Sequence, residues 1–138
     1  MTPEVMADLH ARAFTTPRPW SAPEFASLLA GAGVFVLGDT RGFVMGRAIA
    51  GEAEVLTLAV APEARRQGIA RRLMAEFCTR AIGFGAQTAF LEVAESNSAA
   101  ISLYRSVGYV ISGRRRGYFN TPQGQKIDAI VMTKPLLA

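Results

Sequence analysis

The chain has one cysteine and one histidine in 138 residues. A lone Cys78 can form no internal disulfide, and one Cys with one His cannot build a transition-metal ligand set from those residues. Long apolar runs are also missing. No stretch approaches the ~20 residues of a membrane helix, and Met1 to Phe14 lacks the basic-then-apolar layout of a secretion signal. There is no internal repeat and no low-complexity tract, so 1–138 is expected to be a single domain, soluble and cytoplasmic. Two phosphate loops are excluded as well: neither Gly-x-x-x-x-Gly-Lys-Ser/Thr nor Gly-x-Gly-x-x-Gly occurs. Cys78 falls on the apolar face of a predicted helix and reads as a small core residue. His10 has no evident partner and is assigned no role.

What is present is a globular composition, 50% hydrophobic and 19% charged, with a formal net charge of +4 and a pI near 9.8. A chain of this length buries roughly two-thirds of the surface it would expose unfolded. Arginines gather at 65, 66, 71 and 72 and again at 114 to 116, without the aromatic interleaving of a single-strand-binding sheet. A polyanionic small molecule accounts for the first cluster without nucleic acid.

That first cluster has an informative setting. The apolar run Glu54 to Ala61 reads as a strand, Arg65-Arg66-Gln67-Gly68-Ile69-Ala70-Arg71 as a turn, and the following residues as the start of a helix. The first turn of a helix has unpartnered N–H groups and the positive end of the macrodipole, so a pyrophosphate gains several hydrogen bonds there. Gly68 lets a ligand approach the backbone, and the arginines add charge-assisted contacts.

The remaining elements follow from punctuation and period. Thr2-Pro3 opens a helix to about Phe14, and Ser21-x-x-Glu24 is a capping box opening a second toward Leu29, with a proline-stiffened loop from Thr15 to Trp20 between them. Val34 to Leu37, Gly42 to Ala50 and Glu54 to Ala61 read as a three-stranded antiparallel meander. Ile69, Leu73, Phe77, Cys78 and Ala81 form one stripe of a long helix ended by Gly83-Phe84-Gly85. Thr88 to Val93 is a strand, Ser96-Asn97 caps another helix stopped by Gly108, and Val110-Ile111 and Ile127 to Met132 are the last strands, joined by the arginine-rich stretch and a polar turn. The fold class is α/β, a mixed sheet of about six strands with flanking helices. The helical crossover from Ala61 to Thr88 makes those strands parallel neighbours, placing the anion turn at the carboxyl end of a strand.

Glu92 is a carboxylate in an otherwise apolar strand, which calls for a wet cavity or a partner such as a neighbouring arginine. Asn97 is explained by capping alone, and Tyr104 by packing alone. Their arrangement says more. Arg65-x-x-Gly68-x-Ala70, followed by Asn97-x-x-Ala100-x-x-Leu103-Tyr104-x-x-x-Gly108-Tyr109, resembles the two signatures of the GNAT (GCN5-related) N-acetyltransferases. With Leu91-Glu92-Val93, Arg115 to Phe119 and Asp128 to Met132, the likeness runs from about Ala11 to the C-terminus. It is most like the RimI type, the ribosomal-protein N-terminal alanine acetyltransferases.

The resemblance implies acetyl-CoA as cofactor. Leu58, Ala59 and Val60, on a bulged strand, would pair with pantetheine. Arg66, Gln67, Gly68, Ile69, Ala70 and Arg71 would hold the pyrophosphate, with Arg65 nearby, and Asn97 would bind the pantetheine arm. Glu92 would accept the proton of the attacking amine, and Tyr104 would donate to the leaving thiolate. Trp20 and Tyr118 would bind the acceptor, the N-terminal α-amine (Ala or Ser) of a protein such as a ribosomal protein, with no metal, membrane or nucleic-acid partner. Three departures bear on the acceptor side: the N-terminal strand usual in the fold is expected to be absent, the loop before Trp20 is about four residues longer, and Gly117 and Phe119 replace an Asn and a Tyr. A small-molecule amine acetyltransferase acting on a polyamine or antibiotic, and a non-catalytic acetyl-CoA or RNA-binding module using Arg114 to Arg116, are the other readings.

Overall fold

The computed structural model describes residues 1–14 and 18–136. The Thr15, Thr16 and Pro17 part of the proline-stiffened loop lies outside the described residues. The elements in chain order are α1 (Pro3–Ala13), α2 (Ala22–Leu29), β1 (Val34–Asp39), β2 (Gly42–Ile49), β3 (Glu52–Val60), α3 (Ile69–Gly83), β4 (Thr88–Ala94), α4 (Ser98–Ser106), β5 (Val110–Asn120) and β6 (Lys126–Pro135), with one 3-10 turn at Pro62–Ala64. Among the described residues no strand precedes α1.

The two N-terminal helices begin where the sequence signals place them. The Thr2 hydroxyl accepts the Val5 N–H, and Pro3 supplies the first helical residue. At α2 both arms of the capping box form: Ser21 Oγ accepts the Glu24 N–H and Glu24 Oε1 accepts the Ser21 N–H.

One six-stranded sheet runs β1-β2-β3-β4-β6-β5. β1, β2 and β3 form the antiparallel meander, β3 and β4 are parallel, and β6 returns antiparallel between β4 and β5. α3 and α4 cover one face, where Phe35, Val44, Val55, Leu73, Phe77, Leu91 and Met132 are buried together. α1 and α2 cover the other with Met6, Leu9, Phe25, Phe43 and Met45. Each such side chain contributes roughly 1.5–3 kcal/mol by leaving water. Gly46 sets how closely α3 sits, since a Cβ there would come within 2.6 Å of Phe77 and 2.7 Å of Phe35. Cys78 is a half-buried residue packed on this core.

The C-terminal hairpin departs from the sequence reading. The arginine-rich stretch is not a connection but the middle of β5, which pairs with β6 from Val110 to Asn120. Its side chains are mostly exposed, because β5 is a sheet edge, so the apolar alternation that marks a half-buried strand is missing. The pairing skips at Gly117, which has a φ of 59°, and the Gly117 N–H donates to Asp128 Oδ1 at 2.8 Å.

Candidate active site

Two features of β3 open the sheet. Opposite β2, Met45 pairs with Thr57 and Gly46 with Val55, so Leu56 is an extra residue, a β-bulge. The bulge reverses the alternation: Ala53 and Val55 point to the α3 face, whereas Thr57 and Ala59 belong to the α1 face. On the other side, the parallel ladder with β4 ends at Val55 and Leu91. Bulges bend a strand and increase its local twist, and beyond this one the two strands part. Leu58, Ala59 and Val60 stay paired with β2 on one edge and present the other to a cleft of about 800 Å³. Glu92, Val93 and Ala94 of β4, still held by β6, line the opposite side.

The anion turn closes one end. Gly68 is the N-cap of α3 at φ 76°, a left-handed conformation, and no side chain caps the helix. No acidic residue lies in its first turn. The N–H groups there are therefore free for an external anion. A Cβ on Gly68 would meet nothing within 4 Å, so the space over the backbone is open. Arg66 also has positive φ, at 63°, which costs a non-glycine residue about 1–2 kcal/mol. Arg65 reaches the Ala13 carbonyl at 3.4 Å, and Arg71 donates to Ser106 Oγ at 3.0 Å, tying α3 to α4. Arg65, Arg66, Gly68, Ile69, Ala70 and Arg71 all line the cleft. Gln67 does not, and its side chain is exposed.

Farther along, Asn97 caps α4 by accepting the Ala100 N–H at 3.1 Å, so the capping role is real, and its amide NH2 remains available on the cleft wall. Tyr104 is buried on α4, edge-on to Tyr109, and also lines the cleft. Desolvation pushes its phenol far above the ordinary range, so the hydroxyl keeps its proton at any working pH. Glu92 has the arginine partner anticipated for a carboxylate in an apolar strand: Arg115 Nε lies 3.2 Å from Oε2. The pair is out of line for a hydrogen bond, leaving that buried oxygen without a hydrogen-bond partner among the described residues. Arg115 in turn lies over the Tyr118 ring at 5.4 Å.

The cleft extends to the α1 face, where Phe14, Trp20 and Leu28 pack on that side's core, and Tyr118 and Phe119 of β5 also line it. Trp20 and Tyr118 thus line the same cleft. Three residues there escaped the sequence reading. Arg47 and Glu54 form an ion pair at 2.8 Å across β2 and β3. His10 is fully buried, with both ring nitrogens engaged by Thr57 and the Trp20 main chain. A signal for it existed: Met6, Leu9 and His10 recur at three and four residues on the buried face of α1. Among the described residues no three His, Cys, Asp or Glu side chains converge as a metal site, and no helix is long and apolar enough to cross a membrane.

The acetyltransferase (GNAT) family model matches residues 4–109. The chain belongs to the GNAT acetyltransferase family. It is 34% identical over 139 residues to the ribosomal protein bS18-alanine N-acetyltransferase of Escherichia coli K12, covering 98% of this chain and 93% of that one. It is 35% identical over 122 residues to the N-alpha-acetyltransferase RimI of Mycobacterium tuberculosis, covering 82% and 75%. The crystal structure of the Escherichia coli ribosomal-protein-S18-alanine enzyme superposes with a TM-score of 0.87 at 31% identity, over 99% of this chain and 88% of that one. The fold is also that of Arabidopsis thaliana NAA60 in complex with acetyl-CoA, at a TM-score of 0.83 and 20% identity. The protein is an acetyl-CoA-dependent N-acetyltransferase, and its open backbone edge at Leu58 to Val60 and its uncapped α3 turn suit that cofactor's amide-bearing arm and its pyrophosphate.

Proposed function

We propose that this acetyltransferase moves acetyl to the N-terminal α-amine of a protein whose first residue is small, alanine or serine, a ribosomal protein being the model. The observation that supports the reading is the single cleft where β3 and β4 part, which is lined at once by the Arg65 to Arg71 turn, by Glu92 and Tyr104, and by Trp20 and Tyr118. A chain terminus can enter such a cleft with its amine foremost. The extended likeness to bS18-alanine and N-alpha-acetyltransferases supports the same acceptor class.

Each residue has a part in the transfer. Arg65, Arg66, Gly68, Ile69, Ala70 and Arg71 bind the phosphates, Leu58 to Val60 and Asn97 bind the arm, and the bound cofactor supplies an activated acyl carbon. An α-amine with a pKa of about 7.7–8.0 is roughly a tenth neutral at pH 7, against well under a thousandth for lysine, so a modest base suffices. Glu92 takes the amine proton, directly or through water. A main-chain N–H at the β3 bulge would offer a hydrogen bond to the bound acyl oxygen. Tyr104, its phenol raised by burial, would serve toward the thioester sulfur as a hydrogen-bond donor rather than as a strong acid. The cleft's carboxylates, Glu54 and Glu92, each face an arginine, which gives a polyamine little net charge to hold.

The test is an acetylation assay with radiolabelled acetyl-CoA on peptides beginning Ala, Ser or a bulky residue, each also with its α-amine formylated and an internal lysine retained. Turnover of free Ala and Ser peptides and none after formylation is expected. Acetylation of formylated peptides, or polyamines outcompeting every peptide, would transfer the assignment to small amines.

A further inference from the structure

Among the described residues, His10 is the one buried ionisable side chain on the acceptor side for which the transfer chemistry has no use. It is 1% exposed, on the buried face of α1, and surrounded by rings: Phe14 at 4.5 Å, Trp20 stacked at 5.1 Å and Phe25 edge-on at 5.3 Å. Its hydrogen bonds define its chemical state. The Trp20 main-chain N–H donates to Nδ1 at 3.0 Å, so Nδ1 carries a lone pair. The neutral ring then has its proton on Nε2, which donates to Thr57 Oγ1 at 2.9 Å. Protonating Nδ1 would break the Trp20 bond and bury a charge among aromatics. Desolvation lowers the imidazole to about 4, only partly opposed by Glu24, the nearby carboxylate.

The two partners belong to opposite halves of the site. Trp20 is part of the wall at the acceptor mouth. Thr57 directly follows the bulge residue Leu56 and precedes the Leu58 to Val60 edge. The bulge has lost regular pairing on one side, and after Val55 the strand has lost β4 on the other, so ladder hydrogen bonds alone fix it less than an ordinary strand. We infer that His10 is a positioning residue that holds the acceptor wall, through Trp20, and the bulged cofactor strand, through Thr57, in one fixed relation. A shift of either wall by a fraction of an ångström misaligns amine and acyl carbon, and such misplacement is costly to rate.

This rests on the roles proposed above for Trp20 and for Leu58 to Val60. The experiment compares Thr57→Val, Thr57→Ser, His10→Phe and the double variant His10→Phe/Thr57→Val. Thr57→Val keeps the shape of the side chain and removes only the hydroxyl, so it stays informative if His10→Phe does not fold. We expect Thr57→Val to lower kcat by ~10-fold and to raise both peptide and acetyl-CoA KM severalfold, since both walls loosen. Thr57→Ser restores most of each, and the double variant is no worse than the poorer single one. Native kinetic constants in Thr57→Val, or independent, multiplying effects in the double variant, would overturn the coupling. Imidazole nitrogen NMR of the wild-type chain should show Nε2 protonated and Nδ1 bare down to pH 5, and the opposite tautomer would equally overturn it. Calorimetry should also show acetyl-CoA affinity lowered severalfold in Thr57→Val, and neither it nor the NMR signals involve an acceptor. If they behave as expected while no peptide is acetylated by the parent enzyme, the acceptor reading fails and the tie stands.

Discussion

Glu92 shows how one side chain can satisfy a structural and a chemical account at once. Its ion pair with Arg115 explains how a carboxylate is tolerated in β4, yet the poor alignment leaves a buried oxygen with unspent hydrogen-bonding capacity on a residue that lines the cleft. Tyr104 is the complementary case, a buried phenol that stays neutral. Glu92→Gln should lower kcat by ~100-fold near pH 7 and Tyr104→Phe by less, with acetyl-CoA affinity nearly unchanged in both. The Glu92→Gln deficit should narrow as pH rises and the amine deprotonates unaided. A pH–rate series on the two variants measures this, and full activity of Glu92→Gln at pH 7 would remove it from the mechanism.

At the scale of elements, the start of α3 gives up stability for binding. The helix has no side-chain cap, no acidic residue in its first turn and two neighbouring backbone positions, Arg66 and Gly68, at positive φ. An ordinary helix start would satisfy those N–H groups internally, at a gain of about 1 kcal/mol. In the proposed function they are kept for the cofactor. Gly68→Val places a β-branched residue at φ 76° and fills the open space over the turn. It should raise the acetyl-CoA dissociation constant at least ~10-fold, equivalent to about 1.4 kcal/mol. Calorimetry on the folded variant is the check, and unchanged affinity would contradict the anion-turn assignment.

For the whole molecule, the buried imidazole makes stability depend on pH in a window of its own. His10 titrates at about 4 in the folded chain against 6.5 as a free side chain. Between those values the unfolded chain binds a proton that the native state refuses, so stability rises with pH from 4 to 6.5 and is lost on acidification through the same range. The full loss is about 3 kcal/mol, from 1.36 kcal/mol per pKa unit. Glu24, held down to about 2 by Arg18 and the Ser21 N–H, loses its contribution only below the usual carboxylate range. The two processes should therefore separate. Urea unfolding from pH 7 to 4.5 should show falling stability in the wild-type chain and a much flatter course in His10→Gln. Equal slopes would mean that the ring is protonated in the native state.

Local signals in the sequence determined the helix starts at Thr2 and Ser21, the meander, the parallel crossover and the anion turn at Arg65 to Arg71, because capping, glycine punctuation and hydrophobic period act over a few residues. The family signatures carried the expectation of acetyl-CoA as cofactor. Tertiary structure alone decided three things. The arginine-rich stretch is a strand because β6 pairs with it, a non-local ladder that its own composition does not announce. A bulged strand was already implied by the family resemblance, but the cleft's position was fixed only by the coincidence of the bulge at Leu56 with the end of the parallel ladder at Val55, since a one-residue register shift leaves no mark in an apolar run. His10 gained its place from Thr57, 47 residues away, and from Trp20 beyond a loop, partners that only the packing of α1 on β3 brings within hydrogen-bond reach.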